Sequence, residues 1–337
     1  MSMMKNKQQT ILARVGELAL LRKICRRLPL RKDVIIGAGD DCAVVGIAGD
    51  KNYDYLLKSD GVVEGVHFKS DAKPELVGHK ALGRVLSDIA AMGGEPLWIL
   101  VDLVAPARTP IKRIDAIYSG MGKLARNFGA AIVGGDVSAG KELQLHVFGM
   151  GRVKKGKAVL RSGANADDAI FVTGALGGSI AGKHLEFQPR LREGEWLARG
   201  KWATAMIDIS DGLLRDLGHI VSAGRVGARL ELDKIPISAS IATFGRLMDN
   251  PPRLAATPPL EGISRELYHA LSDGEDYELL FTVPARKVKI FMKAWRRAFK
   301  LACTRIGWIT AQKGSLDGID SEGKIIKLND AGFEHFR

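Results

Sequence analysis

The sequence has little cysteine, few aromatic residues and no long apolar run. Its 337 residues include three cysteines, Cys25, Cys42 and Cys303, widely scattered. An odd, dispersed set argues against a disulfide framework or a cysteine-rich metal site and fits a reducing cytoplasm. No apolar run approaches the roughly 18 residues that span a bilayer. The longest candidate, Pro96 to Val101, stops at Asp102. Met1 to Thr10 is polar and lacks an apolar h-region, so no secretory signal is expected. Also missing are the Gly-x-x-x-x-Gly-Lys-Ser/Thr phosphate loop, the His-x-x-x-His and Cys-x-x-Cys zinc patterns, and the Gly-x-Ser-x-Gly elbow. Those absences set aside P-loop, zinc-enzyme and serine-hydrolase chemistry.

Basic residues are plentiful. Lys and Arg number 50 against 38 Asp and Glu, a formal charge of +12. Such a balance attracts polyanions of any kind. The clusters Arg22 to Lys32 and Lys154 to Lys157 contain no aromatic residue. Arg296 and Arg297 are flanked by Trp295 and Phe299, whose i,i+4 spacing reads as the buried stripe of a helix. Neither a nucleic-acid groove nor a membrane partner is therefore expected.

The length suffices for two domains with their own cores. Glu17 to Arg27 has helical spacing, as do His79 to Ala91, where Leu82, Val85, Leu86 and Ile89 form one stripe, and Asp115 to Phe128. Tyr53–Leu57, Leu97–Leu103, Ala130–Val133 and Leu143–Met150 read as strands. After Arg152 a second cycle follows. Ala169–Val172, Ala205–Ile209 and Leu279–Val283 are expected strands. Leu213–Val221 is an expected helix, capped by Ser210 or Asp211 and ended by Gly224. A boundary between residues 1–151 and 152–337 is expected at the basic, Gly-containing Arg152 to Lys157. Asp249 to Gly262 holds four prolines and reads as a surface loop.

One pattern recurs in both halves: an apolar strand runs out and meets Asp, with Gly or Ser beside it. Examples are Leu56 to Gly61, Ile132 to Asp136 and Ile207 to Gly212, with Gly39-Asp40-Asp41 as a related turn. Strand ends at a sheet rim are common ligand sites. Carboxylates gathered there suit magnesium, which takes oxygen ligands and bridges to substrate phosphates. Turn formation is the better account of any single instance, and it is the recurrence of four in one chain that favours a site. Asp208 is sharper, because a carboxylate inside the apolar Ala205–Ile209 must be paired or metal-bound. Asp88 stands four residues after Arg84, and spacing alone favours a helical ion pair. Gly174 to Gly182 follows a strand, and either close packing or a phosphate contact accounts for it.

Taken in order, Gly39-Asp40-Asp41, Ser59-Asp60, Val63-Glu64-Gly65-Val66-His67-Phe68, Leu86 to Gly93, Val133 to Asp136, Arg161 to Ala164, Asp208 to Leu213, Gly274 to Leu279 and Gly332 to Phe336 resemble the thiamine-monophosphate kinase family. The likeness covers nearly the whole chain. The Asp-rich motifs are shared with a wider superfamily that includes aminoimidazole ribonucleotide synthetase, selenophosphate synthetase and the hydrogenase maturation factor. Cys25 lies on the opening helix with no glycine nearby, unlike the reactive cysteine a selenophosphate synthetase would carry. The resemblance implies an α/β plus α+β, two-domain aminoimidazole ribonucleotide synthetase-like fold, with a homodimer closing a β-barrel from two N-terminal sheets. It implies thiamine monophosphate and ATP as substrates. Asp40, Ser59, Asp60, Asp88, Asp136, Asp208 and Asp211 would hold several Mg2+ ions. Tyr118, Gly135, Asp136, Arg161 and Ser210 would contact ATP, and His67, Glu275 and Phe333 the thiamine phosphate. Two positions depart from the family pattern. Lys58 stands where Ser or Thr is usual and cannot be an oxygen ligand; its ammonium is able to sit where a cation would. Asp273 adds a carboxylate beside Gly274-Glu275-Asp276.

Overall fold

A computed structural model describes residues 12–241 and 263–328. Phe333 and the proline-rich stretch 249–262 lie outside the described residues. After a short helical turn at Leu12–Val15 comes α1 (Glu17–Cys25). The first sheet then uses β1 (Val34–Ile36), β2 (Ala43–Val45), β3 (Tyr53–Val63), β4 (Glu95–Ala105), β5 (Ala131–Ala139) and β6 (Gln144–Lys154), in the order β1-β2-β3-β6-β4-β5. Helices α2 (Pro74–Ala91) and α3 (Ile111–Asn127) follow β3 and β4.

Alternation decides which face is covered. Leu56 and Val62 of β3, Ile99, Val101 and Leu103 of β4, and Leu145 and Val147 of β6 are all buried. Their neighbours Trp98 and Leu100 are exposed on the other face. Strands β3 and β6 pair without a break from Tyr53↔Lys154 to Val63↔Gln144. That ladder carries β3 well past its expected end at Leu57. Helices α2 and α3 cross closely because each offers a glycine. A Cβ at Gly78 would lie 1.9 Å from the Ile117 carbonyl oxygen, and one at Gly120 would lie 1.9 Å from that of Glu75.

The second sheet is built from β7 (Ala169–Thr173), β8 (Met206–Asp208), β9 (Gly227–Glu231), β10 (Leu279–Val283), β11 (Cys303–Thr310), β12 (Leu316–Ile319) and β13 (Ile325–Lys327). Its order is β13-β12-β9-β11-β7-β10-β8. Every residue of β7 and β10 is buried, so this sheet is covered on both faces. On one side lie α5 (Leu213–Gly224) and α6 (Arg265–Ser272), whose apolar residues join Ile170, Val172 and Ile207. On the other, Phe171 and Phe281 pack with Phe291 and Trp295 of α7 (Val288–Ala298) and with Trp196 of α4 (Leu191–Arg199). Trp295 and Phe299 are in ring contact at 4.7 Å, as their spacing predicts. This aromatic layer is continuous with the core of the first sheet.

The first sheet is open within one chain, with β1 and β5 at its edges. Strand β6 runs to Lys154, into the 152–157 stretch. One expectation needs correction. The cap of α5 is neither the Ser210 nor the Asp211 side chain: Gly212 holds the cap position. Asp216, from the first turn of α5, instead accepts the N–H groups of Ser210, Asp211 and Gly212 at 3.0, 3.1 and 3.2 Å. Among the described residues no helix is long and apolar enough to cross a membrane.

Candidate active site

Helix α2 organises the site. Lys80, Arg84, Ser87 and Asp88 recur at helical spacing and form a polar stripe beside the helix's apolar one. Lys80, Ser87 and Asp88 are buried nearly completely. Each finds a partner from a different part of the chain.

At the C-terminal end of the stripe, Asp41, Asp88 and Asp208 bring carboxylate oxygens within 4.8 Å of one another, all buried. Asp41 comes from the turn before β2 and Asp208 from the last residue of β8. Ser87 Oγ donates to Asp208 Oδ2 at 2.5 Å. Arg161 reaches Asp41 Oδ1 at 2.6 Å, and its backbone N–H donates to Asp40 Oδ2 at 3.1 Å. Lys58 Nζ lies 3.0 Å from Asp88 Oδ1 and 3.8 Å from Asp60 Oδ2, and Arg84 lies 3.6 Å from Asp60 Oδ1. The expected Arg84–Asp88 pair is therefore replaced: each residue pairs across to β3. Side chains on β3 alternate, so Lys58 and Asp60 share the helix-facing side.

The cluster holds more negative charge than its cations cancel. Burial pushes Asp208 up to about 7, with Asp41 adding repulsion. Burial and then Asp41 push Asp40 up to about 6. Asp88 is raised by burial, against the pull of Lys58, and further by Asp60, Asp208 and Asp41. Burial also opposes ionisation of Asp60, but Lys58 and Arg84 outweigh it and hold that carboxyl below its ordinary value.

At the N-terminal end of the stripe, Lys80 Nζ donates to the His67 carbonyl at 2.6 Å and to Glu275 Oε2 at 2.7 Å. Burial lowers Lys80 to about 8, against the attraction of Glu275. Glu275 and Tyr277 have φ of 64° and 51°, a region that non-glycine residues rarely occupy. Backbone bonds hold them there: Glu275 N–H donates to Ser210 at 2.7 Å and Tyr277 N–H to Ile209 at 2.8 Å. Tyr277 stacks on Phe187 at 3.8 Å between ring centroids. The 275–277 turn is thus tied directly to the turn after β8.

The remaining expected residues are less gathered. Ser59 is exposed and, by alternation, on the opposite face of β3 from Asp60. Asp136 lies in the interior of β5, and Asp60 in that of β3, rather than at strand ends. Asp136 accepts from Ser138 Oγ at 3.1 Å and stands on a strand separated from β3 by β6 and β4. At about 4.8 Å per strand that separation is about 14 Å. Gly135 has φ 151°, and a Cβ there would meet the Val101 carbonyl oxygen at 1.9 Å, so the close β4–β5 approach requires glycine. Tyr118 on α3 has its phenol raised by burial and then by Asp102. Asp211 lies 3.6 Å from Arg215 Nε.

Three residues of the site carry little signal in the sequence. Asp41 is visible there only as half of a doublet. Lys80 and Ser87 have no distinguishing spacing until α2 is seen to be buried on its polar side. The Gly-rich turn is also explained: Asp276 takes the Gly177 N–H and Asp273 the Gly178 N–H, at 2.9 and 3.0 Å. Packing against carboxylates accounts for these glycines. Asp273 also contacts His269 Nδ1 at 3.1 Å, so both of its carboxylate oxygens already have partners.

The family model described as "AIR synthase related protein, N-terminal domain" matches residues 39–153, and "AIR synthase related protein, C-terminal domain" matches residues 139–318. Thiamine-monophosphate kinase of Buchnera aphidicola subsp. Acyrthosiphon pisum (strain APS) is 36% identical over 91% of this chain and 94% of its own length. That of Bacillus subtilis (strain 168) is 31% identical over 96% of this chain and 100% of its own. A solved structure described as AaThiL complexed with AMPPCP and TMP superposes with a TM-score of 0.76 at 28% identity, covering 97% of this chain and 99% of that one. The hydrogenase maturation protein HypE in complex with ATP, at 17% identity and a TM-score of 0.65 over 94% and 96%, shares the fold.

Proposed function

The chain belongs to the thiamine-monophosphate kinase family of AIR synthase related proteins, and from that membership we propose that it phosphorylates thiamine monophosphate with ATP, giving thiamine diphosphate and ADP. It is a phosphotransferase. The observation that carries the reading is the two-ended polar stripe of α2. The Asp41–Asp88–Asp208 cluster stands at one end and the His67–Lys80–Glu275 cluster at the other. Lys80 and Asp88 are eight residues apart, about 12 Å along a helix, room for an extended substrate with a phosphate at one end.

Asp41, Asp88 and Asp208 fit Mg2+: the donors are all oxygen, and burial and mutual repulsion disfavour ionised Asp88 and Asp208, a cost that a bound cation would offset. Asp40, Asp60, Asp136 and Asp211, with Ser59, complete the proposed ligand set. When bound, magnesium supplies charge neutralisation between two anionic reactants. Arg161, Ser210, Gly135 and Tyr118 contact ATP in this reading. Arg161 already lies against the cluster, so its guanidinium is placed to share its charge with phosphate. His67, Glu275 and Phe333 contact the thiamine phosphate.

The acceptor phosphate is largely dianionic near neutral pH and needs little general-base help. Transfer is direct and in line, and the residues contribute alignment and charge rather than a nucleophile. Trapping a covalent phosphoenzyme during turnover would refute this. The three cysteines are unpaired, in keeping with a cytoplasmic setting. The activity is tested by ADP release with thiamine monophosphate, using thiamine as control; release independent of the phosphorylated substrate would sink the assignment.

A homodimer is part of the proposal. Strand β5 is exposed along an open edge, with Val133 58% and Val137 72% accessible. A second copy at this edge would cover them. It would also supply Asp136 to a cluster that lies some three strand spacings away within one chain.

A further inference from the structure

We infer that Lys58 is a tethered cation that replaces one divalent ion between Asp60 and Asp88. Its ammonium lies 3.0 Å from Asp88 and 3.8 Å from Asp60, the place an ion shared by those two carboxylates would take. Arg84 approaches Asp60 from the other side at 3.6 Å. The side chains of Lys58, Asp60 and Asp88 are 24%, 19% and 10% accessible, so water screens the arrangement weakly. An ammonium offers three donors and no lone pair, so it competes with a metal and cannot help bind one. It is also held in place by β3, which fixes both Lys58 and Asp60 in register with β6. A free ion entering there must displace a charge that cannot diffuse away. Asp41 and Asp208 differ. Their partners are Arg161 and the neutral Ser87, which leaves that side of the cluster able to take a divalent ion.

The inference rests on reading the neighbouring carboxylates as magnesium ligands. The test counts bound Mn2+ per chain by the loss of the free-ion paramagnetic resonance signal, with AMPPCP saturating. Lys58→Ser removes the ammonium and should bind an additional Mn2+ per chain relative to wild type. Lys58→Arg keeps the charge and should gain none. Equal counts in wild type and a folded Lys58→Ser variant would overturn the inference. Should that variant fail to fold, anomalous scattering from Mn2+-soaked wild-type crystals decides. Signal beside Asp41 and Asp208 with none between Asp60 and Asp88 is expected, and a peak between Asp60 and Asp88 overturns it. Absence of Mn2+ from both places removes the magnesium reading itself, and the inference with it.

Discussion

Asp208 is a carboxylate at the end of an apolar strand, and such a group needs a partner. It sits 3% accessible beside Asp41 and Asp88. Asp208→Asn should lower kcat by about 100-fold or more, since a proposed ligand of the charge-neutralising magnesium is lost. The melting temperature should hold or rise, because the change removes a buried like charge. Steady-state kinetics beside thermal melts check both. Asp276 makes a different kind of prediction. Burial pushes it up to about 7, while Ser179 and the Gly177 N–H pull the other way. Its folded value thus lies above the unfolded one of about 3.9, and the native state binds the extra proton between the two. Stability from this residue is full at low pH and is lost as pH rises from about 4 through about 7. Urea melts at about pH 5 and about pH 8 should show that decline, and Asp276→Asn should reduce it, leaving the part due to Asp40 and Asp208.

Helix α2 is the element on which the site depends, and it is half legible in the sequence. Its apolar stripe follows from period, and Leu82, Val85, Leu86 and Ile89 are all fully buried. Its polar stripe has the same period and looks like a solvated face until two further layers cover it. Arg84 and Asp88 satisfy the spacing rule for an ion pair, yet stronger partners on β3 claim both. Periodicity starts the helix at His79, whereas it begins at Pro74, where a first-turn proline costs no hydrogen bond. The Gly78–Gly120 crossing sets how closely α2 can approach α3. Gly78→Ala should cost about 1–3 kcal/mol by overpacking against the Ile117 carbonyl. A shift of the urea midpoint measures it; an unchanged midpoint would mean that the helices can part freely.

For the whole molecule, the decisive question is whether one chain completes the site. Asp60 and Asp136 lie on strands separated by two others. If a second copy supplies Asp136, then Asp60→Asn and Asp136→Asn are each inactive alone but should complement. Mixed dimers would contain one intact site and one doubly altered site, so activity should reappear on subunit exchange. No recovery, with exchange verified by mass, would place both residues in one chain. If the proposed dimer forms through the β5 edge, Val137→Asp should convert it to monomer by burying a charge there, read by light scattering.

What the sequence determined by itself was parts: the longer strands and helices of the first half, β7, β8, β10 and α5 of the second, the carboxylates, and through its ordered motifs the family. These are local properties, set by period, composition and residue type. What only the tertiary structure decided was partnership. Lys58 meets Asp88, Lys80 joins His67 to Glu275, Asp41 completes the buried triad, and Asp273 is spent on the Gly178 N–H. Charges find partners by distance in space and by burial, and neither is a property of separation along the chain.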